Sequence, residues 1–259
     1  MPVINGADGK PMRLAASTLT TPKSDIDSKK IYVCDHSNSA IEIAEYMVGE
    51  MKKNPFTADG KKITEYNAYD PVVRKREWDA LPWYSKLGGS PDFMGEYRTN
   101  KESAMTIWYE CVKSGSKWDH KPLIRNMLLE TGGPALLNHG YQKYGEYDYF
   151  YDIWSNIHYG YVGVAVGFSP AELFEGAGLA QFVSDIKAHG KFQYHAENGR
   201  VLSRFDDSQD HVSIQVGIDL YKKVLPEHLT SDSLLREVSF AKFDIKDDGA
   251  KRLHSCKLS

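Results

Sequence analysis

The chain has 259 residues, 41% hydrophobic and 26% charged, with a formal net charge of −3. That length supports one large domain or two small ones with a real core, and the composition excludes wholesale disorder and a collagen-like repeat. No apolar run approaches the ~20 residues of a membrane-spanning helix, and the acidic balance counts against duplex nucleic acid as a bulk partner. Cys34, Cys111 and Cys256 are too scattered for a disulfide framework or a zinc site. Met1 to Leu19 lacks the apolar stretch of a cleavable secretory signal, so none is expected. The 16 tyrosines and 5 tryptophans suit core and surface packing first, and stacking against sugars or bases second.

Residues 1–30 mix Gly, Pro, Ser, Thr and Lys without periodicity and read as a flexible arm. Ser39 and Glu42 match the S-x-x-E capping box and open a helix with Ile43, Ala44, Met47 and Met51 as its stripe, stopped by Asn54-Pro55. Dense punctuation between Phe56 and Arg98 (Asp59-Gly60, Asp70-Pro71, Gly88-Gly89, Ser90-Pro91) predicts a long irregular stretch. Thr99 and Glu102 then form a second capping box, ahead of Ala104, Ile107, Trp108, Cys111 and Val112. A short helix is expected over Lys121–Glu130. The spacing of Ile153, Trp154, Ile157, Tyr161, Val162 and Ala165 predicts a long, buried one. Ser169, Pro170 and Glu172 supply an N-cap, a proline at the first helical position and the reciprocal acid, for a helix reaching Gly190. Asp207 or Ser208 starts another, with Ile214, Ile218, Tyr221 and Leu225 on one face, and the polar end 246–259 is expected to fray. Strands are expected only in the middle and over Phe192–Phe205. The fold class is mostly α with minor strands: a single compact helical domain with a long irregular N-terminal half.

Three stretches offer chemistry. On a helix, Asp152, Asn156, Tyr159, Gly160, Gly163 and Gly167 share one face, and interior glycines at about 1 kcal/mol each need a close-packed neighbour or a ligand. The small residues Gly176, Ala177, Gly178 and Ala180 offer such a neighbour. His158 is either a satisfied structural histidine or a general acid–base. Trp118-Asp119-His120-Lys121 sets a carboxylate, an imidazole and an amine on a loop. Asp207 and Asp210 suit a helix N-terminus, a carboxylate pair for acid–base work, or a hard-metal site. No H-E-x-x-H, Walker A or G-x-S-x-G motif occurs.

Taken in order, these elements resemble the bacterial polymorphic toxin type 44 domain. Trp118, Asp119 and Lys121 are similar to its W-D-x-K element, and Asn156, Tyr159 and Gly160 to its G-N-x-x-Y-G element. Gly167 through Leu173 to Ala177-Gly178 and Ala180-Gln181 resembles its A-G-x-A-Q helix. Asp206, Asp207 and Asp210, with Ile214, Gly217 and Leu220-Tyr221, resemble its D-D-P-x-D stretch and the I-x-x-G-x-x-Y that follows. Ser155 stands where glycine is usual and Ser208 where proline is usual. The resemblance covers about Ala104 to Tyr221. It implies a toxin domain over 101–245, after the 1–30 arm and a 31–100 delivery or domain-completing region, and before a 246–259 polar tail.

The resemblance also implies an antibacterial toxin with a cognate immunity protein, delivered without a cleavable signal and acting in the target bacterium. The leading expectation is a hydrolase attacking peptidoglycan in the periplasm by acid–base catalysis. Its catalytic residues would be His158, Asp119, Lys121, Asp207 and Asp210. Asn156, Tyr159, Trp118 and Gln181 would hold substrate. No motif requires a cofactor, although Asp207 and Asp210 could ligate a divalent metal. A metal-independent RNase toxin, the one reading with a nucleic-acid partner, and a non-enzymatic binding module are the alternatives.

Overall fold

Local capping decides where the helices of the 56–98 stretch begin. The structure, a computed structural model, describes residues 13–14, 32–33, 37–127, 140–175 and 208–254. Helix α1 (Ala40–Lys53) ends where Asn54-Pro55 forces a short 3-10 turn, Asn54–Phe56. Thr57 then caps α2 (Ala58–Asn67), its hydroxyl accepting the Gly60 N–H at 3.2 Å. Asp70 caps α3 (Pro71–Ala80), one carboxylate oxygen accepting from Val72 at 2.8 Å and Val73 at 3.2 Å. The stretch expected to be irregular is therefore largely helical. Asp70-Pro71 ends one element and starts the next, because an acid before a first-turn proline is an N-cap as much as a breaker.

Helix α4 (Phe93–Val112) starts at Asp92, whose carboxylate accepts the Gly95 N–H at 2.8 Å. Thr99, expected at a helix start, lies inside α4 and donates its hydroxyl to the Gly95 carbonyl at 3.1 Å, one turn back. Residues 121–127 form α5, and Asp152–Ala165 form α6. At Ser169 the expected cap is present in full: Ser169 N–H and hydroxyl donate to Glu172, and Glu172 N–H donates to Ser169 Oγ at 3.2 Å. It opens α7, described over 170–175. Helices α8 (Ser208–Lys223) and α9 (Ser231–Phe240) follow. The 128–139 and 176–207 readings, including Gly176–Ala180 and the Phe192–Phe205 strand, lie outside the described residues.

The mostly α class with minor strands is what the structure shows. The chain divides into two units. The smaller comprises Met1–Ile43, Leu123–Tyr151 and Phe243–Ser259. It holds a two-stranded pairing of β1 (Arg13–Leu14), inside the 1–30 stretch expected to be an arm, with β2 (Tyr32–Val33) just beyond it. It also holds an antiparallel sheet of β3 (Tyr141–Tyr144), β4 (Tyr147–Phe150) and β5 (Lys251–Leu253), in the order β3-β4-β5. Residues 251–253 thus pair rather than fray. Two cation–aromatic contacts explain it: Lys251 Nζ sits 4.1 Å from the Tyr147 ring centre, and the Arg252 guanidinium 3.7 Å from that of Tyr141. Asp148 anchors the same strand by accepting from Arg252 at 3.3 Å and binding the His254 ring at 2.6 Å.

The larger unit comprises Ala44–Pro122 and Asp152–Lys242. Trp108 of α4 meets Trp118, Tyr159 and Phe168 with ring centres 5.7, 5.1 and 5.4 Å away. The central pair is α6 against α8. A Cβ on Gly160 would stand 2.2 Å from the Ile214 carbonyl oxygen, and one on Gly217 would stand 2.0 Å from that of Ile157. The glycine stripe therefore serves close backbone approach to α8, while Gly163 admits the Leu173 side chain. Gly167 lies beyond the helix. With φ +94° it ends α6, and Phe168 N–H donates to the Gly163 carbonyl at 3.0 Å.

Because the obstacles at Gly160 and Gly217 are main-chain atoms, Gly217→Ala should destabilise the protein by about 3 kcal/mol or more. Gly49→Ala, where a Cβ meets open space, should be neutral or slightly stabilising. Urea denaturation of both variants checks this.

Candidate functional site

Helix α6 presents two polar faces. Asp152, Asn156 and Tyr159 fall on one side, at i, i+4 and i+7, whereas His158 stands about 160° around the helix from Asn156. On the first side, Lys121 Nζ lies 3.7 Å from Asp152 Oδ2. One turn on, Asn156 Nδ2 donates to Asp210 Oδ1 at 2.7 Å. Tyr159 then donates its hydroxyl to the Leu173 carbonyl at 2.9 Å, and burial pushes that phenol up to about 12. The Lys121 and Asp152 side chains remain 40% and 25% exposed, and Asn156 and Asp210 are half-buried. Asp210 lies in the first turn of α8, where the helix dipole favours a carboxylate. The next residue, His211, stacks flat on Phe174 with ring centres 4.1 Å apart.

Asp119 holds its loop. One of its oxygens accepts the Gly115 N–H at 2.8 Å and the other accepts the Lys121 N–H at 3.3 Å, so it caps α5 and sets the position of Lys121. Trp118 is buried beneath that loop at 4% exposure, against Trp108.

The second side of α6 is dry. His158, His120 and Asn54 are each 1% exposed. Asn54 Nδ2 donates to His158 Nε2 at 2.9 Å, His120 Nε2 lies 3.3 Å from the same nitrogen, and Tyr46 binds His120 Nδ1 at 2.9 Å. An amide NH₂ can only donate, so His158 Nε2 is the acceptor and His120 Nε2 carries the shared proton. His120 Nδ1 then accepts from the Tyr46 hydroxyl. Every group in this relay is neutral. Burial lowers the His158 pKa well below its ordinary value, and His120 and Lys53 lower it further. Burial also lowers His120, against the opposing pull of Glu50 and Asp119.

Among the expected site residues, Lys121, Asn156, Tyr159 and Asp210 line one face of α6, and Asp119 supports Lys121. His158 lies on the opposite face, enclosed by protein, and Trp118 packs in the core. Asp207 and Gln181 lie outside the described residues. Asp152 completes the accessible face although it was not in the expected set, and its signal was its place one turn before Asn156. Tyr46, Asn54 and His120 were missed as partners of His158, because their contacts cross 38 to 104 residues of chain. Among the described residues, no group of three or more His, Cys, Asp and Glu is placed to hold a metal ion.

The relay makes stability pH-dependent. Both imidazoles have pKa values below those of the unfolded chain, so unfolding takes up protons once the pH drops below about 6.5. Stability is complete above that pH and falls towards the folded-state values. The melting temperature should decline between about pH 7 and pH 5, and His158→Gln should flatten that decline while lowering the midpoint at neutral pH. Differential scanning fluorimetry across this range is the check.

Comparison with curated proteins finds no match, and comparison with solved structures finds none either. A family described as bacterial toxin 44 does match, over residues 107–223, from within α4 to the end of α8. That span includes Trp118, Asp119, Lys121, Asp152, Asn156, Tyr159 and Asp210, so the accessible face of α6 lies wholly inside it. By that match residues 107–223, a little under half of the chain, are similar to the bacterial toxin 44 family.

Proposed function

We propose that this toxin is a hydrolase directed at peptidoglycan, with its active site on the Lys121–Asp152–Asn156–Asp210 face of α6. The observation that carries the reading is the presence beside one face of α6 of two solvent-accessible carboxylates, Asp152 on α6 and Asp210 in the first turn of α8, each beside a nitrogen donor. A glycosidic bond is broken by two carboxyl groups, one protonating the leaving oxygen and the other acting as base or nucleophile. Asn156 orients Asp210, and Lys121 holds Asp152 in place from 3.7 Å away. Tyr159 borders the same face. His158 acts by holding α6 in place and touches no substrate.

The acidic balance of the chain, −3 overall, favours a glycan over a polyanionic nucleic acid. The imidazole expected to serve as the acid–base of a metal-independent RNase, that of His158, is buried. Among the described residues no helix is long and apolar enough to cross a membrane. In this reading the toxin is delivered to the periplasm of the target cell, and the producer is protected by a cognate immunity protein.

Expression in a bacterium with and without an added export signal tests this. The exported form should round or lyse cells, and the unexported form should be tolerated. Asp210→Asn preserves the acceptor that Asn156 binds, so it should keep the melting temperature while cutting cell-wall hydrolysis about a hundredfold or more. Asp152→Asn should do the same. Growth arrest by the unexported form with degraded RNA would overturn the reading, as would full activity in both variants.

A further inference from the structure

Over residues 71–92 only Pro71, Trp78 and Lys86 are even partly covered. Neither α3 nor the 3-10 turn Trp83–Lys86 buries a residue. Even so, this segment carries Val72, Val73, Leu81, Trp83, Tyr84 and Leu87 in the open, with Trp83 75% exposed and Leu87 77%. A helix that adds nothing to the core has no packing reason to display such side chains, and an apolar patch of this kind marks an interaction surface.

The charges limit what that surface meets. Residues 71–92 hold four basic side chains (Arg74, Lys75, Arg76, Lys86) against three acidic ones (Glu77, Asp79, Asp92), in a chain whose net charge is −3. Arg74 pairs with Glu77 at 2.8 Å and Lys75 with Asp79 at 2.6 Å, both within α3. By helical spacing Arg76 shares a face with Val72, Val73 and Ala80. The result is a diffuse positive surplus set among apolar groups, rather than a fixed array awaiting matched acids. Trp83 and Tyr84 stand edge to face at 6.1 Å, and rings of this type favour the boundary between water and hydrocarbon. The patch also lies outside the 107–223 toxin match.

We propose that this face binds the surface of a bilayer rich in anionic phospholipid. Trp83, Tyr84 and Leu87 enter the headgroup layer, while Arg76 and Lys86 meet lipid phosphates. The proposal does not depend on which bond the toxin domain attacks. Flotation of the full chain with vesicles tests it, using phosphatidylcholine alone or mixed with phosphatidylglycerol. The chain should float only with the mixed vesicles, and added salt should weaken the association. Trp83→Ala/Leu87→Ser and, separately, Arg76→Glu should each weaken it about tenfold or more, with unchanged melting temperatures because the altered side chains are exposed. The proposal is overturned if the chain fails to float with anionic vesicles or if the double variant floats as well as the parent. It is also overturned if the parent is a dimer that the double variant converts to monomer, which would make the patch a self-association surface.

Discussion

The approach of α6 to α8 governs the rest of the larger unit. The Ile157 and Ile214 carbonyls occupy space that any side chain at Gly217 or Gly160 would claim, so the two backbones meet almost directly. At that separation a short side chain such as Asn156 can reach Asp210 across the seam. A wider spacing would leave both groups to water and dissolve the polar face they build. The chain accepts two helix-weakening glycines for this, and the main-chain contact they allow fixes both the axial register and the rotation of α6.

Rotation matters because α6 is polar on both sides for different reasons. One side keeps its charged groups within reach of solvent, where a charge costs little. The other side buries two imidazoles, which is tolerable only because both are neutral and each nitrogen in the chain of contacts has a complementary partner. A proton added there would set N–H against N–H with no water to intervene. The dry side therefore acts as a clamp, and the other side stays within reach of solvent.

What could be read from the chain divides by distance along it. Ser169, Pro170 and Glu172 were legible because a capping box is made by neighbours three residues apart. Asp70-Pro71 misled for the same local reason, since the pair both stops and starts helices. The glycine stripe was recognised as a close-packing device, but its partner Gly217 lay more than fifty residues away and the nearer small residues drew the assignment. Lys251 and Arg252 looked like a solvated tail until their aromatic partners over a hundred residues earlier were in view. Of the residues expected to act together, the structure brings Lys121, Asn156, Tyr159 and Asp210 to one face of α6. Their separation from His158 follows from simple helical rotation: neighbours two apart in sequence face opposite ways.

The hydrogen bonds that enclose His158 come from Asn54 and, through His120, from Tyr46, both upstream of the segment that matches the toxin family. A fragment cut at residue 107 would strip one wall from the interior and flood a dry imidazole pair. The unit that must travel together in any graft, fusion or truncation accordingly includes α1 and Asn54, so the span of the family match and the mechanical unit have different boundaries.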